Sequence, residues 1–396
     1  MNFNQIAKAA SIALTLVSVS QAAVSVGERN VQVGGFFSQG YIDTNGNNYP
    51  FENSSGTADF REAAVNVSTT VGAHLRIGAQ AFAQRLGNYG DDKIKLDWAV
   101  VDYNIRQEFG VRVGRVKYPK GLYGEALDLD VIRPFVFLPF ALYNPVVRDF
   151  NSSFNGGMVY GTVNVGKGGS LDYKAFYGDI PMNPEQGVAD FFNTTSLYAA
   201  PGVTELGMDS TYGAHLVWNS PVNGLKFCAS YSALDALYAN GKFAAYPAGN
   251  VSLLLKRYDY ITLSTEYAVG LWTLAGEWQK AGGDTVVGTP FGNQLGKSVV
   301  HNWYASVARR LNDRWEVGTY YSSQENKKPA AGTPNKATYN RDWALSVRFD
   351  LNEHVTLKLE GHSIDGGYNL FNTVRTPNRT LKDRTTFFAA KTTLVF

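Results

Sequence analysis

Thr385-Thr386-Phe387-Phe388-Ala389-Ala390-Lys391-Thr392-Thr393-Leu394-Val395-Phe396 is the stretch from which the rest of the chain can be read. Phe388, Ala390, Thr392, Leu394 and Phe396 share one parity, and Lys391 lies on the other. Successive side chains of a β-strand point to opposite faces, so this segment has one mostly apolar face and one that holds a cation. The same alternation recurs upstream. Val355-Thr356-Leu357-Lys358-Leu359-Glu360 is stricter still, and Trp343-Ala344-Leu345-Ser346-Val347-Arg348-Phe349-Asp350 and Leu75-Arg76-Ile77-Gly78-Ala79-Gln80-Ala81-Phe82-Ala83-Gln84 follow it. No long helical period competes, so the chain reads as all-β. The apolar face could meet a soluble core or lipid, and periodicity does not separate the two.

Connection lengths separate them better. Sixteen candidate strands are joined alternately by short and long segments. The short ones fall near 70–74, 106–108, 166–169, 219–224, 268–270, 311–314 and 351–354. The long ones fall near 42–57, 87–92, 118–154, 179–210, 235–256, 282–298, 324–338 and 364–382. Tight turns at one end and extended loops at the other are the pattern of a transmembrane antiparallel β-barrel. An even count puts both termini on the turn side; fourteen and eighteen strands are the alternatives to sixteen. Residues 24–396 form one barrel domain, since no linker, low-complexity tract or charge run marks a second. Aromatics recur at strand ends: Phe109, Trp218, Trp272, Trp315 and Phe396 beside short turns, Tyr177, Tyr231, Trp278, Trp303 and Trp343 nearer long loops. Two interfacial girdles are the expectation.

Residues 1–23 read as a cleaved secretory signal peptide. Lys8 supplies the positive end, Ile12-Ala13-Leu14-Thr15-Leu16-Val17 the apolar core, and Ser20-Gln21-Ala22 or Gln21-Ala22-Ala23 the small-residue site. That core is too short to span a bilayer, and no later segment reaches the roughly 18 apolar residues a spanning helix needs. Mean hydropathy is −0.19, which speaks against a bundle of membrane helices and leaves a barrel open. A formal charge of +2 without a basic block gives no reason to expect nucleic acid. The single Cys228 has no partner for a disulfide or a zinc knuckle. His74, His215, His301, His354 and His362 form no paired metal motif, and neither a nucleophile elbow nor a phosphate-binding loop is present. No metal, no cofactor and no enzymatic activity are expected. Two other classes stay in view: an outer-membrane hydrolase in which His215 or His301 meets a serine across strands, and a soluble secreted lectin or adhesin. A TonB-dependent receptor would need a plug domain and more strands than this length supplies.

Two segments carry a resemblance to a known family. The last strand, ending in Phe396, resembles the sorting signal of bacterial outer-membrane barrels. Gly114-Arg115-Val116-Lys117-Tyr118-Pro119-Lys120-Gly121-Leu122-Tyr123, followed by Gly124-Glu125-Ala126-Leu127-Asp128-Leu129-Asp130 and the apolar run Val131 to Tyr143, resembles the third long loop of Gram-negative outer-membrane porins. Its G-R-x-K-x-P-x-G opening is similar to that of several groups, phosphate- and carboxylate-selective ones included. It departs from enteric general porins in lacking Pro-Glu-Phe-Gly-Gly. The resemblance implies a sixteen-stranded barrel whose third loop folds inward, and passive diffusion of small hydrophilic solutes or ions. It also implies a homotrimer, contact with outer-membrane lipid and recognition by the barrel-assembly machinery.

The lumen can then be assigned residue by residue. Inward parity on strands three to five carries Arg76, Lys93, Lys95 and Arg112, with Asp97 beside Lys95 and with Arg115 and Lys117 leading into the loop. The loop carries Glu125, Asp128 and Asp130, with Arg133, Arg148 and Asp149 beyond. If it folds inward, its carboxylates face the basic wall across a constriction, as fixed charges do in ion-sorting pores. The plainer reading is that these charges pair with one another or keep the lumen wet.

Overall fold

The computed structural model describes residues 24–26, 31–47, 49–50, 56–87, 89–185, 187–193, 197–369 and 382–396. The expected signal peptide, 1–23, lies outside the described residues. Sixteen antiparallel strands follow one another around a ring. They are β1 (Val31–Asn45), β2 (Thr57–Val71), β3 (Leu75–Leu86), β4 (Lys95–Arg106), β5 (Phe109–Lys117), β6 (Ser153–Asn164), β7 (Ser170–Asp179), β8 (Tyr198–Gly207 with Ser210–Asn219), β9 (Leu225–Phe243), β10 (Tyr246–Val269), β11 (Trp272–Thr289), β12 (Gly292–Arg310), β13 (Trp315–Asn326), β14 (Tyr339–Asp350), β15 (Val355–Asp365) and β16 (Arg384–Val395). The two segments of β8 pair along the same neighbour, β9, on either side of a short break.

β16 pairs back onto β1, from Thr386 opposite Asn45 to Val395 opposite Phe36. Phe396 extends this seam: its N–H donates to the Gly35 carbonyl at 3.0 Å, and its carbonyl accepts from the Gly35 N–H at 2.9 Å. A closed sheet leaves no unpaired edge, which is what hydrocarbon demands of a spanning backbone. Val24–Val26 adds a short antiparallel pairing to the start of β1.

The faces sort inside out. On β14, Asp342, Ala344, Ser346 and Arg348 are buried, while Trp343 and Leu345 are 59% and 63% exposed. On β16, Lys391 is buried, and Phe388 and Leu394 face outward. A polar interior with an apolar exterior reverses the arrangement of a soluble sandwich and suits lipid outside. Trp218, Trp272, Trp315, Phe396, Tyr177, Trp278, Trp303 and Trp343 are all exposed at the outer surface; Phe109 and Tyr231 are half-buried.

The seven short turns fall where the sequence placed them. Two of the long connections do not exist as loops. Residues 235–256 and 282–298 are instead strand: β9 and β10 meet at Ala244-Ala245, and β11 and β12 at Pro290-Phe291. Glycines in these segments allow close backbone approach. A Cβ on Gly283 would lie 1.8 Å from the Arg257 carbonyl oxygen across the ladder. Leu237, Ala239, Leu255 and Ala281 on these extended walls pack against Val188 and Phe192 of the helix Gly187–Asn193. That interior contact is a reason for the sheet to continue past the expected strand ends.

Candidate functional site: the loop inside the barrel

Residues 118–152 leave β5 and run inside the ring. Gly121 lets the chain approach the far wall; it has φ +54°, and a Cβ there would lie 2.3 Å from Glu277 Oε2 and 2.4 Å from the Tyr143 hydroxyl. Beyond it come short helical turns at Gly124–Ala126, Asp130–Ile132, Phe140–Tyr143 and Pro145–Phe150. The apolar run from Phe135 to Tyr143 is almost wholly buried.

On the near wall the loop is held by charge. Asp97 accepts ion pairs from Lys117 at 2.7 Å and Arg148 at 2.8 Å, and Gln80 donates to it at 2.9 Å. Asp128 pairs with the same two cations, at 2.6 and 2.8 Å. Arg112 pairs with Asp102 at 3.0 Å and lies 3.9 Å from Glu125, which also binds Lys174. Lys95 sits 3.7 Å from Asp149. Lys95, Arg112, Lys117, Arg148 and Lys174 thus stand against Asp97, Asp102, Glu125, Asp128 and Asp149, five charges of each sign. Burial alone would raise the Asp128 carboxyl; Arg148 and Lys117 override it and hold it well below the usual carboxylate range. Burial is likewise overridden at Glu125, chiefly by Lys174 and Arg112.

On the far wall the loop is held mostly by hydrogen bonds to its backbone. Glu360 accepts from the N–H groups of Val136 at 2.8 Å and Phe137 at 3.0 Å. Glu277 accepts from the Leu122 N–H at 2.9 Å, the Tyr143 hydroxyl at 2.6 Å, the Tyr304 hydroxyl at 2.8 Å and the Ser264 hydroxyl at 2.6 Å. Lys358 donates to the carbonyls of Asp130 and Phe135 at 2.6 and 3.0 Å, and Ser346 donates to that of Pro134 at 2.9 Å. His362 lies between Asp342 and Glu360, 2.9 Å from each, and stacks on Phe387 with ring centroids 3.9 Å apart. Phe137 stacks on Phe60 at 5.2 Å.

The sequence-assigned residues divide accordingly. Lys95, Arg112, Lys117, Glu125 and Asp128 meet in the near-wall cluster. Arg115 only touches it, donating to the Asp97 carbonyl at 3.1 Å and to Asn155 at 3.4 Å. Arg76 faces inward apart from the loop and reaches Ser68 at 3.4 Å. Asp130 does not face strands three to five; it pairs with Lys391 of β16 at 2.6 Å and with Arg133 at 3.1 Å. Lys93 is not on a strand. β4 begins at Lys95, after Asp91 and Asp92 turn the chain with positive φ, and the Lys93 side chain is 64% exposed, 3.8 Å from Glu185. Lys95 does not pair with Asp97, which is taken by Lys117, Arg148 and Gln80, while Lys95 sits by Asp149. The two charge sets therefore touch, and no gap separates them.

Sequence reasoning missed Glu277, Glu360, His362, Lys174 and Lys358 as loop partners. Their inward parity was available: Lys358 and Glu360 stand in the strictest alternation of the chain, and Glu277 precedes outward Trp278. What parity could not supply was which backbone groups they would meet. The hydrolase reading finds His215 3.7 Å from Cys228, while Ser230, its cross-strand neighbour, accepts from the Gly121 N–H. No cluster of three or more His, Cys, Asp or Glu side chains fit for a metal occurs among the described residues.

Comparison with known proteins places the fold. No protein-family model and no curated sequence matches the chain. Among solved structures, the chain is similar to an anion-selective porin from Comamonas acidovorans, with 14% identity and a TM-score of 0.54 over 92% of this chain and 99% of that one. It is similar to OmpF of Salmonella typhi in complex with daunomycin, with 10% identity and a TM-score of 0.61 over 94% and 100%. The outer-membrane channel DcaP of Acinetobacter baumannii gives 12% identity and 0.55 over 95% and 100%. The chain has the porin fold, a closed sixteen-stranded barrel, over nearly its full length.

Proposed function

We propose that this protein is an outer-membrane porin, a passive diffusion channel in which the loop 118–152 sets the constriction. The observation that carries the reading is the loop's anchorage to opposite walls of one closed barrel, by Asp128 on one side and by Glu277 and Glu360 on the other. A loop fixed at both walls narrows a passage without moving parts. Small hydrophilic solutes or ions are its cargo, passing down their gradients past lumenal side chains. The outward Trp, Phe and Leu side chains support a lipid surround and speak against a soluble lectin or adhesin. We read Arg76, Lys95, Arg112, Arg115, Lys117, Glu125, Asp128 and Asp130 as lining or bracing the pore, and Lys93 as outside it.

The chain is exported by its signal peptide, matures near Val24, inserts through the barrel-assembly machinery reading the strand that ends in Phe396, and forms homotrimers. Purified protein reconstituted in a planar bilayer should give discrete conductance steps, with a reversal potential in a salt gradient that reports ion preference. A folded, inserted barrel that passes no current, or recovery of the full chain in a soluble periplasmic fraction without detergent, would overturn the reading.

A further inference from the structure

Above the loop, on the side of the extended β9–β12 walls, lies a cavity between the loop, the helix Gly187–Asn193 and the barrel wall. Its lining is aromatic and aliphatic, with Phe150, Phe192, Tyr258, Tyr260, Leu237 and Leu255 prominent. Two polar groups in this lining are incompletely used. Lys120 is 4% exposed and makes no ion pair among the described residues. Its ammonium donates to Asn151 Oδ1 at 3.1 Å and, at 3.4 Å, to the Leu142 carbonyl, and it sits 4.8 Å from the Tyr260 ring centroid. Every other buried lysine among the described residues has a carboxylate or short carbonyl contacts: Lys174 has Glu125, Lys391 has Glu62 and Asp130, and Lys358 has two carbonyls. The second group is Asn302, whose amide donates to Gln279 at 3.0 Å while its own Oδ1, buried in the same lining, has no hydrogen-bond partner.

A buried cation short of a counter-ion and a buried acceptor short of a donor are each costly unless something completes them. We propose that this cavity is a binding site for a small aromatic carboxylate bearing a hydroxyl group, its carboxylate on Lys120, its ring among Tyr258, Tyr260, Phe150 and Phe192, and its hydroxyl donating to Asn302. The charge is the part that selects a monoanion: the five-and-five balance below leaves little field, whereas Lys120 makes no ion pair among the described residues and the nearby Glu277 carboxylate is already taken up by four hydrogen bonds. Burial brings Lys120 down to about 8, with Glu277 opposing, so it is mostly charged at neutral pH. Quiet packing of an aromatic ring needs the flat apolar wall that the cavity supplies.

The site deepens the channel reading by naming a solute class, and its test does not depend on conduction. The detergent-folded chain is titrated calorimetrically with 4-hydroxybenzoate, benzoate and 4-hydroxybenzyl alcohol, with empty micelles as blank. The acid should bind at least about tenfold tighter than the alcohol, as expected of a hydrogen-bonded charge. Lys120→Met should remove that difference, and Asn302→Leu should bring 4-hydroxybenzoate to the level of benzoate. Equal affinity for acid and alcohol in the unaltered chain, or no heat above the blank with the acid, overturns the proposal even if Lys120→Met fails to fold. A channel that conducts but shows this result keeps the porin reading and loses the site. Binding without conductance does the reverse.

Discussion

The near and far walls hold the same loop by different chemistry. At Asp128 the contact is charge to charge, with Lys117, Arg148 and Asp97 closing a compact network. At Glu360 and Glu277 the contact is carboxylate to backbone N–H and tyrosine hydroxyl. The first arrangement leaves each charge with alternatives when one partner goes, because Arg148 and Lys117 still have Asp97. The second leaves buried N–H groups with nothing. Buried unpaired polar groups cost more than a shared ion pair lost by half, so the loop is more vulnerable where it looks less charged.

That comparison can be broken at its strong end first. Glu360→Leu strips Val136 and Phe137 of their acceptor and His362 of one of its two partners. It should lower barrel stability by about 3 kcal/mol or more, read as the urea midpoint of the vesicle-inserted protein. A loss under about 1 kcal/mol would mean that the loop backbone finds other acceptors. Asp128→Asn should cost less, about 2 kcal/mol, because Asp97 remains. It should also loosen the loop, seen as noisier open-channel current, and shift the reversal potential toward anions. A quiet channel with an unmoved reversal potential would separate Asp128 from the pore.

Acid sharpens the same contrast. Lys117 and Arg148 depress the Asp128 carboxyl below its unfolded value. A depressed carboxyl contributes stability that is fully present above the unfolded pKa and lost only as pH falls through the lower folded one. Between pH 7 and about 4.5 the near-wall tether therefore stays intact, and conductance should not change on its account. A step in single-channel conductance in that window that Asp128→Asn abolishes would contradict the pairing. The smallest effect belongs to Lys93→Gln. The side chain is 64% exposed, precedes β4 and lies 3.8 Å from Glu185, apart from the loop cluster, so conductance and ion preference should match the unaltered protein.

Much of this architecture was legible. The period of two separated the inward from the outward face of β16 and β14, and alternating connection lengths gave the strand number, the seven tight turns and the long loop after β5. The two extended hairpins were not legible, because glycine in Gly282-Gly283-Asp284 reads as a turn unless one knows that another backbone lies 1.8 Å from where a Cβ would be. In the site, Lys117 and Asp128 could be found because opposite charges near one another in sequence invite pairing. Lys93 was misplaced by assuming that the strand began two residues earlier. Asp130 was matched to the wrong wall, since its partner Lys391 is 261 positions away and only barrel closure brings them together. Glu360 acts on two backbone N–H groups, and Glu277 on one beside three hydroxyls, and backbone groups carry no sequence signature at all.

The central claim is that a loop fixed at both walls narrows the barrel. It is tested most directly by replacing residues 124–150 with a short Gly-Ser bridge and comparing single-channel conductance with that of the intact chain in the same salt. The account expects the bridged barrel to fold and to conduct several times more current per channel, roughly as removing a packed obstruction from a water-filled lumen should. An inserted, folded bridged barrel with unchanged conductance would contradict it, and the constriction would then have to be sought among the wall side chains themselves.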